Sequence, residues 1–150
     1  MAEIFVDADA CPVKQEIYRV AKRYALRVIL VSNSRMWIPR EDWLTLVVVA
    51  GQLNAVDDWI VEHVTVHDIV ISGDIPLAAR CLAKGTVVLD LRGGVFTEAS
   101  IGEALASRDL RAYLRDLGTM TGGPAPLQKR DRSHFLQRLD ETIQAVRRRS

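Results

Sequence analysis

Short apolar runs alternate with amphipathic stretches along most of this chain. Two of the runs, 27–31 and 45–49, are β-branched and apolar on both faces, which is typical of central parallel strands covered by helices. The predicted strands lie at 4–7, 27–31, 45–49, 68–72 and 86–90, and the predicted helices between them at 12–24, 54–64 and 75–84. This alternation predicts an α/β, three-layer fold with a mostly parallel central sheet of about five strands flanked by helices.

The pattern becomes helical from Ile101 onward. Ser107 is the expected N-cap of a helix that runs to Leu117 and ends at Gly118, and 121–126 reads as a Gly/Pro-rich connector. A terminal helix is predicted over 131–149, with one apolar face formed by Phe135, Leu136, Leu139, Ile143 and Val146. The connector is too short to mark a boundary, so we expect a single domain over 1–150, with a core at 1–107 and a basic helical extension at 108–150.

Composition narrows the class of protein. The chain has 150 residues, of which 49% are hydrophobic and 26% charged, a profile that fits one globular domain and excludes collagen-like, disordered and disulfide-stapled classes.

No apolar run approaches the roughly 20 residues that cross a bilayer, and the first residues lack the pattern of a signal peptide. Cys11 and Cys81 have no metal-ligand spacing. We therefore expect a cytoplasmic protein with no membrane partner.

The net charge of +1 conceals an asymmetry along the chain. Residues 1–107 carry 10 basic and 14 acidic side chains, whereas 108–150 carry 10 basic and 5 acidic. A basic segment on an acidic body can face a polyanion such as a nucleic acid. The alternative is that these arginines only form the solvated faces of two helices.

Acidic residues follow most of the predicted strands. In open α/β sheets ligands bind beyond the carboxyl ends of the strands, and carboxylates crowded at that edge repel one another unless a cation lies between them. Oxygen ligands without a His or Cys cluster favour Mg²⁺ or Mn²⁺. The candidate acids are Asp7, Asp9, Asp57, Asp58, Asp74 and Asp90. Individually, Asp57, Asp58 and Asp74 also suit helix N-termini, and Asp90 suits a turn.

Five segments carry a family resemblance. They read VDADACPV at 6–13, ISGDIPLA at 71–78, LRGG at 91–94, TGGP at 121–124 and KRDRSHF at 129–135. On these motifs the chain resembles the YaiI/YqxD family of uncharacterised bacterial proteins, and its arrangement is similar to PIN-like and NYN nuclease domains. The second likeness implies a PIN-like fold. It also implies that Asp7, Asp74 and one of Asp57 and Asp58 are metal ligands, and that Asp9 is either a ligand or a residue that contacts a ligand.

The chain departs from the family pattern at two positions. Asn54 stands where members often have Asp, and Asp90 opens a segment that is often Asn-x-Arg-Gly. Asn54 carries one negative charge less, which weakens a metal site or means that this position is not a ligand. Asp90 either compensates for that charge or only forms the turn.

These observations favour a metal-dependent phosphodiesterase, a nuclease acting on RNA or another nucleic acid. Asp7, Asp9 and Asp74 are its candidate catalytic residues, and Mg²⁺ or Mn²⁺ would activate water. The candidates for contacting substrate phosphates are Ser72, Arg92, Lys129, Arg130 and Arg132.

Two alternatives stay open. Asp7-x-Asp9 after the first strand resembles haloacid-dehalogenase-like phosphatases, although Asp57 and Asp58 precede Ser72 in the chain, which is the wrong order for that family. The other alternative is a non-catalytic module that binds nucleic acid or protein, in which the acids serve as helix caps.

Overall fold

The computed structural model describes residues 2–52, 54–118 and 126–149. The strands are β1 (Glu3–Asp7), β2 (Arg27–Ser32), β3 (Leu44–Val48), β4 (Ile69–Ile71) and β5 (Val87–Leu89). The helices are α1 (Lys14–Arg23), α2 (Ala55–His63), α3 (Ile75–Ala83), α4 (Glu98–Asp116) and α5 (Lys129–Arg149), and a 3-10 turn spans Ala8–Ala10. Every strand and helix predicted up to residue 90 is present, with its ends within two residues of the expected positions.

The five strands form one sheet in the order β3-β2-β1-β4-β5, and all four pairings are parallel. Strand β1 is central, with Val6 opposite Leu30 of β2 and Ile71 of β4. The predicted three-layer α/β fold with a parallel sheet of five strands is confirmed. Because the strand order reverses beside β1, the sheet has a topological switch point between β1 and β4, where doubly wound folds bind ligands.

Two apolar clusters, one on each face of the sheet, form the core. The first joins α1 and α5 to the sheet through side chains such as Ile17, Val20 and Phe135. The second joins α2 and α3 through Ile60 and Leu77, and Ile101 of α4 packs against it. The inner strands are therefore apolar on both faces because each face is covered by helices. The prediction that 45–49 is a central strand is wrong: β3 lies at the edge of the sheet, where Val48 is 42% exposed.

Helix α4 begins earlier than its sequence pattern predicts. Thr97 is its N-cap: the Thr97 side chain accepts a hydrogen bond from the Ser100 backbone N–H, and the Ser100 side chain accepts one from the Thr97 N–H. This capping box satisfies two N–H groups that a helix start leaves unpaired. The expected cap Ser107 lies inside the helix instead, so that expectation is wrong, and the boundary expected at 107/108 falls within α4. Gly118, with φ of +74°, follows the helix end as expected.

Helix α5 is integrated into the first cluster. Phe135, Leu139 and Ile143 are fully buried there, and Tyr24 of α1 donates a 2.6 Å hydrogen bond to Asp140. The predicted apolar face is confirmed. The predicted connector and its TGGP motif lie outside the described residues, apart from Pro126.

The segment between β2 and β3 holds two tryptophans in different environments. Trp43 is half-buried and packs edge-on against Tyr18, with 5.9 Å between ring centroids, whereas Trp37 is 84% exposed. Within the described residues, no helix has the length and apolar character needed to cross a membrane.

Candidate functional site

The candidate site lies at the carboxyl ends of β1 and β4, beside the switch point of the sheet. Asp7 is the last residue of β1, and β4 ends at Ile71, directly before Ser72. Helix α3 then starts with Asp74 as its N-cap. Parallel pairing brings these residues together, because both strands end at the same edge.

Three carboxylates from three separate segments converge there. Asp7, Asp57 and Asp74 each offer one oxygen, and these oxygens lie within 4.8 Å of one another. All three side chains are half-buried. Among the described residues, this is the one group of three or more His, Cys, Asp or Glu side chains with such a spacing. We refer to it as the acidic triad.

Ser72 connects two members of the triad. Its side chain is fully buried and its hydroxyl donates a 3.0 Å hydrogen bond to Oδ2 of Asp7. The same hydroxyl accepts a 2.9 Å hydrogen bond from the Asp74 backbone N–H. Asp74 also caps α3, because its Oδ1 accepts from the Leu77 N–H at 3.0 Å. Asp7 and Asp74 are thus held by local hydrogen bonds before any ligand is present.

Helix geometry decides between the two neighbouring acids of α2. Successive residues of a helix point about 100° apart, so Asp57 and Asp58 face different ways. Asp57 faces the triad, whereas Asp58 is exposed and forms a 2.8 Å ion pair with Arg80 of α3. Of the two alternatives left open by the sequence, the structure brings Asp57 to the triad.

The electrostatics of the triad are those of crowded negative charges. The pKa of Asp57 is raised from 3.8 to about 6, mainly by burial and then by the carboxylates of Asp74 and Asp7, while Arg80 opposes the rise. Burial also raises the pKa of Asp7; the hydrogen bond from Ser72 lowers it, and Asp74 and Asp9 raise it. Asp7 and Asp57 are therefore costly to ionise in this arrangement.

A divalent cation fits this arrangement by the chemistry of its donors. The triad offers only oxygen atoms, the ligands that Mg²⁺ and Mn²⁺ prefer. Two oxygens on opposite sides of Mg²⁺ lie roughly 4 Å apart, and the three triad oxygens all lie within 4.8 Å of one another. The ion would also offset the repulsion that raises the pKa values of Asp7 and Asp57.

Asp9 lies outside the triad. One of its oxygens accepts a 2.5 Å hydrogen bond from the Ser32 hydroxyl, and the other accepts a 2.9 Å bond from the Asn33 N–H. The carboxylate therefore ties the turn after β1 to the end of β2. The structure assigns Asp9 this contact and leaves Asp7 as the β1 acid of the triad.

The two positions that depart from the family pattern are not members of the triad. Oδ1 of Asp90 accepts hydrogen bonds from the Arg92 and Gly94 N–H groups, both at 2.8 Å, so Asp90 forms the turn after β5. Asn54 is exposed at the start of α2 and makes no side-chain capping bond there. Neither residue replaces a triad carboxylate.

Of the five residues predicted to contact substrate phosphates, three bind other groups of the protein and two are exposed to solvent. Ser72 is fully buried, and its hydroxyl is hydrogen-bonded to Asp7 and to the Asp74 backbone, so its direct contact with substrate stays a prediction. Arg92 pairs with Asp131 at 2.8 Å. Arg132 donates a 2.6 Å hydrogen bond to the Pro12 carbonyl and lies 3.4 Å from Glu16. Lys129 and Arg130 are exposed at the start of α5.

Comparison with known proteins places the chain in a family. The family model described as "Uncharacterized BCR, YaiI/YqxD family" matches residues 5–145. The chain belongs to the YaiI/YqxD family. A UPF0178 protein of Rhodospirillum centenum is 53% identical over 152 residues, with 99% of each chain covered. A UPF0178 protein of Rhodospirillum rubrum is 50% identical over 147 residues, covering 97% of this chain and 98% of its own. No solved structure gives a significant match.

Sequence reasoning missed two features of this YaiI/YqxD site. One is the role of Ser72 as a bridge between Asp7 and Asp74. Its position between a buried strand and an N-cap acid was the available signal for that role. The other is the pairing of Arg80 with Asp58. These residues are 22 positions apart on different helices, so their contact depends on how α2 and α3 pack.

Proposed function

We propose that this protein is a metal-dependent phosphodiesterase that acts on nucleic acid, with RNA as the first substrate to test. The observation that carries the proposal is the acidic triad. Three carboxylates from β1, α2 and the β4–α3 turn share one small volume at the switch point of the sheet. Folding gives no reason to bring these charges together, because each raises the cost of ionising the others.

In this proposal, Asp7, Asp57 and Asp74 hold Mg²⁺ or Mn²⁺. Such an ion, when bound, lowers the pKa of a coordinated water and stabilises charge on a phosphodiester. Ser72 is a positioning residue, since it fixes the Asp7 carboxylate and the Asp74 backbone. The cations that we propose as contacts for substrate phosphates are Lys129 and Arg130, which are exposed, and the guanidinium groups of Arg92 and Arg132.

The phosphatase alternative has weaker support. It requires two acids after the first strand to act together, one as nucleophile and one as proton donor. The Asp9 carboxylate instead accepts hydrogen bonds from Ser32 and Asn33. The binding-module alternative treats the acids as helix caps. Asp74 does cap α3 and Asp57 lies in the first turn of α2, but neither role accounts for Asp7 or for the convergence of the three carboxylates.

The cytoplasm is the compartment that we propose for this protein. Both cysteines, Cys11 and Cys81, are unpaired and buried, as expected where thiols stay reduced.

A cleavage assay tests the proposal. Labelled RNA and DNA oligonucleotides are incubated with the protein and Mg²⁺ or Mn²⁺, and products are resolved on a denaturing gel. We expect cleavage that EDTA abolishes, that Asp74→Asn reduces by at least a hundredfold, and that the control Asp58→Asn leaves within about twofold. Cleavage that is equally lost in the control, or turnover of a phosphomonoester alone, would contradict the proposal.

A further inference from the structure

A cleft of about 430 Å³ opens beside the acidic triad. It lies between the turn after β5 and the face of α4 that carries Ala104, Ser107 and Arg111. Its apolar wall includes Ile75, Leu91 and Phe96, and its polar side includes Arg92, Ser107 and Arg111. We call it the α4 cleft. Its volume lies within the range of small-molecule pockets, roughly 300–1,000 Å³, and an apolar wall with a few polar groups is their usual lining.

The α4 cleft adjoins the triad through the chain itself. Gly73, which lines the cleft, lies between Ser72 and the triad residue Asp74. A side chain at Gly73 would meet Leu91, because a Cβ there would lie 3.1 Å from the Leu91 Cδ1 atom. The β4–α3 turn therefore packs directly on the cleft wall.

The turn that carries Leu91 and Arg92 is held from several sides. Asp90 accepts hydrogen bonds from two backbone N–H groups of this turn, and Arg92 pairs with Asp131 of α5. Gly93 has φ of +93°, and a Cβ there would lie 3.2 Å from backbone atoms of α5. A wall fixed in this way is preorganised, which lowers the entropy cost of binding.

Arg111 supplies a cation that no described residue neutralises. Within the described ranges its side chain makes no ion pair or hydrogen bond, and it is exposed at the cleft edge. A second cleft of about 460 Å³ lies on the other side of Leu91 and Arg92, which line both clefts, and it contains Arg132. Each of these two neighbouring clefts is therefore lined by arginines.

We propose that the α4 cleft binds one base of a single-stranded polynucleotide, with Arg111 contacting the adjacent phosphate. The base would pack on Phe96 and Leu91, since stacking and apolar contact hold bases without pairing. Bases in a duplex are stacked inside the helix and cannot enter a side pocket of this kind, whereas an unpaired strand presents them. This inference rests on the proposed function, because it names the substrate class of the same site.

Fluorescence anisotropy with a labelled eight-nucleotide single strand, measured in EDTA, tests the inference without cleavage. Arg111→Ala is compared with Arg115→Ala, which removes the same charge one helical turn away and outside the cleft. Ser107→Trp fills the cleft and is compared with Ser107→Ala; Ser107 is exposed on α4, and circular dichroism checks that the variant folds.

We expect Arg111→Ala to weaken binding roughly five- to tenfold, the loss of one charge-assisted contact. Ser107→Trp should weaken binding by a similar factor, because the indole occupies the space of the base. The two controls should stay within about twofold, and a matched duplex should bind at least fivefold more weakly than the single strand. No binding by the wild type, equal effects in variants and controls, or preference for the duplex would overturn the inference.

The two proposals fail in different ways. Binding that depends on the cleft without any metal-dependent cleavage would refute the nuclease and leave the cleft as a site for single strands. Cleavage that proceeds while Arg111→Ala and Ser107→Trp bind like the wild type would refute the cleft and leave the nuclease.

Discussion

Asp57 and Asp58 are adjacent in sequence, yet their carboxylates have opposite surroundings. Asp57 faces Asp7 and Asp74 and has a pKa raised to about 6, first by burial and then by those carboxylates. Asp58 is paired with Arg80 at the surface. Substituting each in turn therefore separates the effect of the triad from that of removing a charge from α2.

Asp57→Asn should stabilise the protein when no metal is present. Because the pKa of Asp57 is higher in the folded protein than its ordinary value of 3.8, the folded state holds the proton more tightly. The stability from this proton is complete below about pH 4 and is lost as pH rises through 6. After allowance for partial exposure, we expect a gain of about 1 kcal/mol at pH 7.5.

Chemical denaturation in EDTA at pH 4 and pH 7.5 measures this gain. It should be present at pH 7.5 and shrink toward zero at pH 4. Asp58→Asn serves as the control and should be neutral or slightly destabilising, since it loses a surface ion pair. A loss of stability in Asp57→Asn at pH 7.5 would show that the triad is not a repulsive cluster.

Ser72 and Ser32 form a matched pair of buried serines. Each hydroxyl donates to an aspartate, Asp7 for Ser72 and Asp9 for Ser32, but only Asp7 belongs to the triad. Groups that orient metal ligands typically affect affinity 10- to 100-fold. We expect Ser72→Ala to weaken Mn²⁺ binding about tenfold and Ser32→Ala to leave it nearly unchanged, as measured by calorimetric titration. Equal effects would remove the positioning role of Ser72.

Among the elements, α5 and α4 make different use of their apolar residues. Leu139 of α5 is fully buried in the first cluster, whereas Leu110 of α4 is 57% exposed. Both are leucines in helices of about 20 residues. The structure therefore assigns α5 a larger share of folding stability than its position at the end of the chain indicates.

Leu139→Ala should cost about 2–5 kcal/mol of unfolding free energy, because it loses buried surface and leaves a cavity. Leu110→Ala should change stability by less than about 0.5 kcal/mol. Urea unfolding of the two variants, followed by far-UV circular dichroism, measures both values. A loss below about 1 kcal/mol for Leu139→Ala would mean that α5 is not part of the core.

The elements also show where sequence patterns suffice. Runs such as RVILV at 27–31 indicate strands between helices, so the existence of the strands follows from local sequence. Their order does not, because the similar run at 45–49 forms the edge strand β3. The start of α4 does not follow from its apolar pattern. Ser107 suits an N-cap by residue type, but the actual cap is Thr97, which forms a reciprocal pair with Ser100. That pair has the spacing of a capping box, but with Ser in place of the usual Glu or Gln.

Within the whole molecule, the basic helix α5 has its two ends in different places. Its start, near Arg132, contacts Pro12 at the same edge as the triad. Its end lies near Val66 and His67, which precede β4, and Arg149 lines a small pocket with them. Since 21 helical residues span about 30 Å, these charges cannot all serve one short ligand.

Two double substitutions of equal charge separate the ends of α5. Lys129→Ala with Arg130→Ala should weaken binding of a short single-stranded oligonucleotide several-fold and reduce the slope of affinity against salt by about one. Arg148→Ala with Arg149→Ala should leave both nearly unchanged. The opposite result would show that the polyanion binds at the far end of α5, away from the triad. Anisotropy titrations at several salt concentrations give both quantities.

The site was predictable only in outline. Parallel strands bring their carboxyl ends to one edge, so acids after β1 and β4 were expected to meet there. Which acids meet depends on side-chain direction: α2 turns Asp57 inward and Asp58 outward, and Ser32 and Asn33 hold Asp9 away. Those directions come from packing and hydrogen bonds between distant segments, and a single sequence does not report them.

We propose that Asp7, Asp57 and Asp74 jointly bind a divalent cation. The melting temperature of the protein at pH 7.5 during titration with Mn²⁺ and Mg²⁺ tests this binding, for the wild type, Asp57→Asn and Asp58→Asn. Binding to the folded state alone raises stability by about 2.7 kcal/mol at a hundredfold excess over Kd. We predict a rise of several degrees for the wild type and Asp58→Asn, and none for Asp57→Asn. A wild-type melting temperature that neither metal changes would contradict the claim.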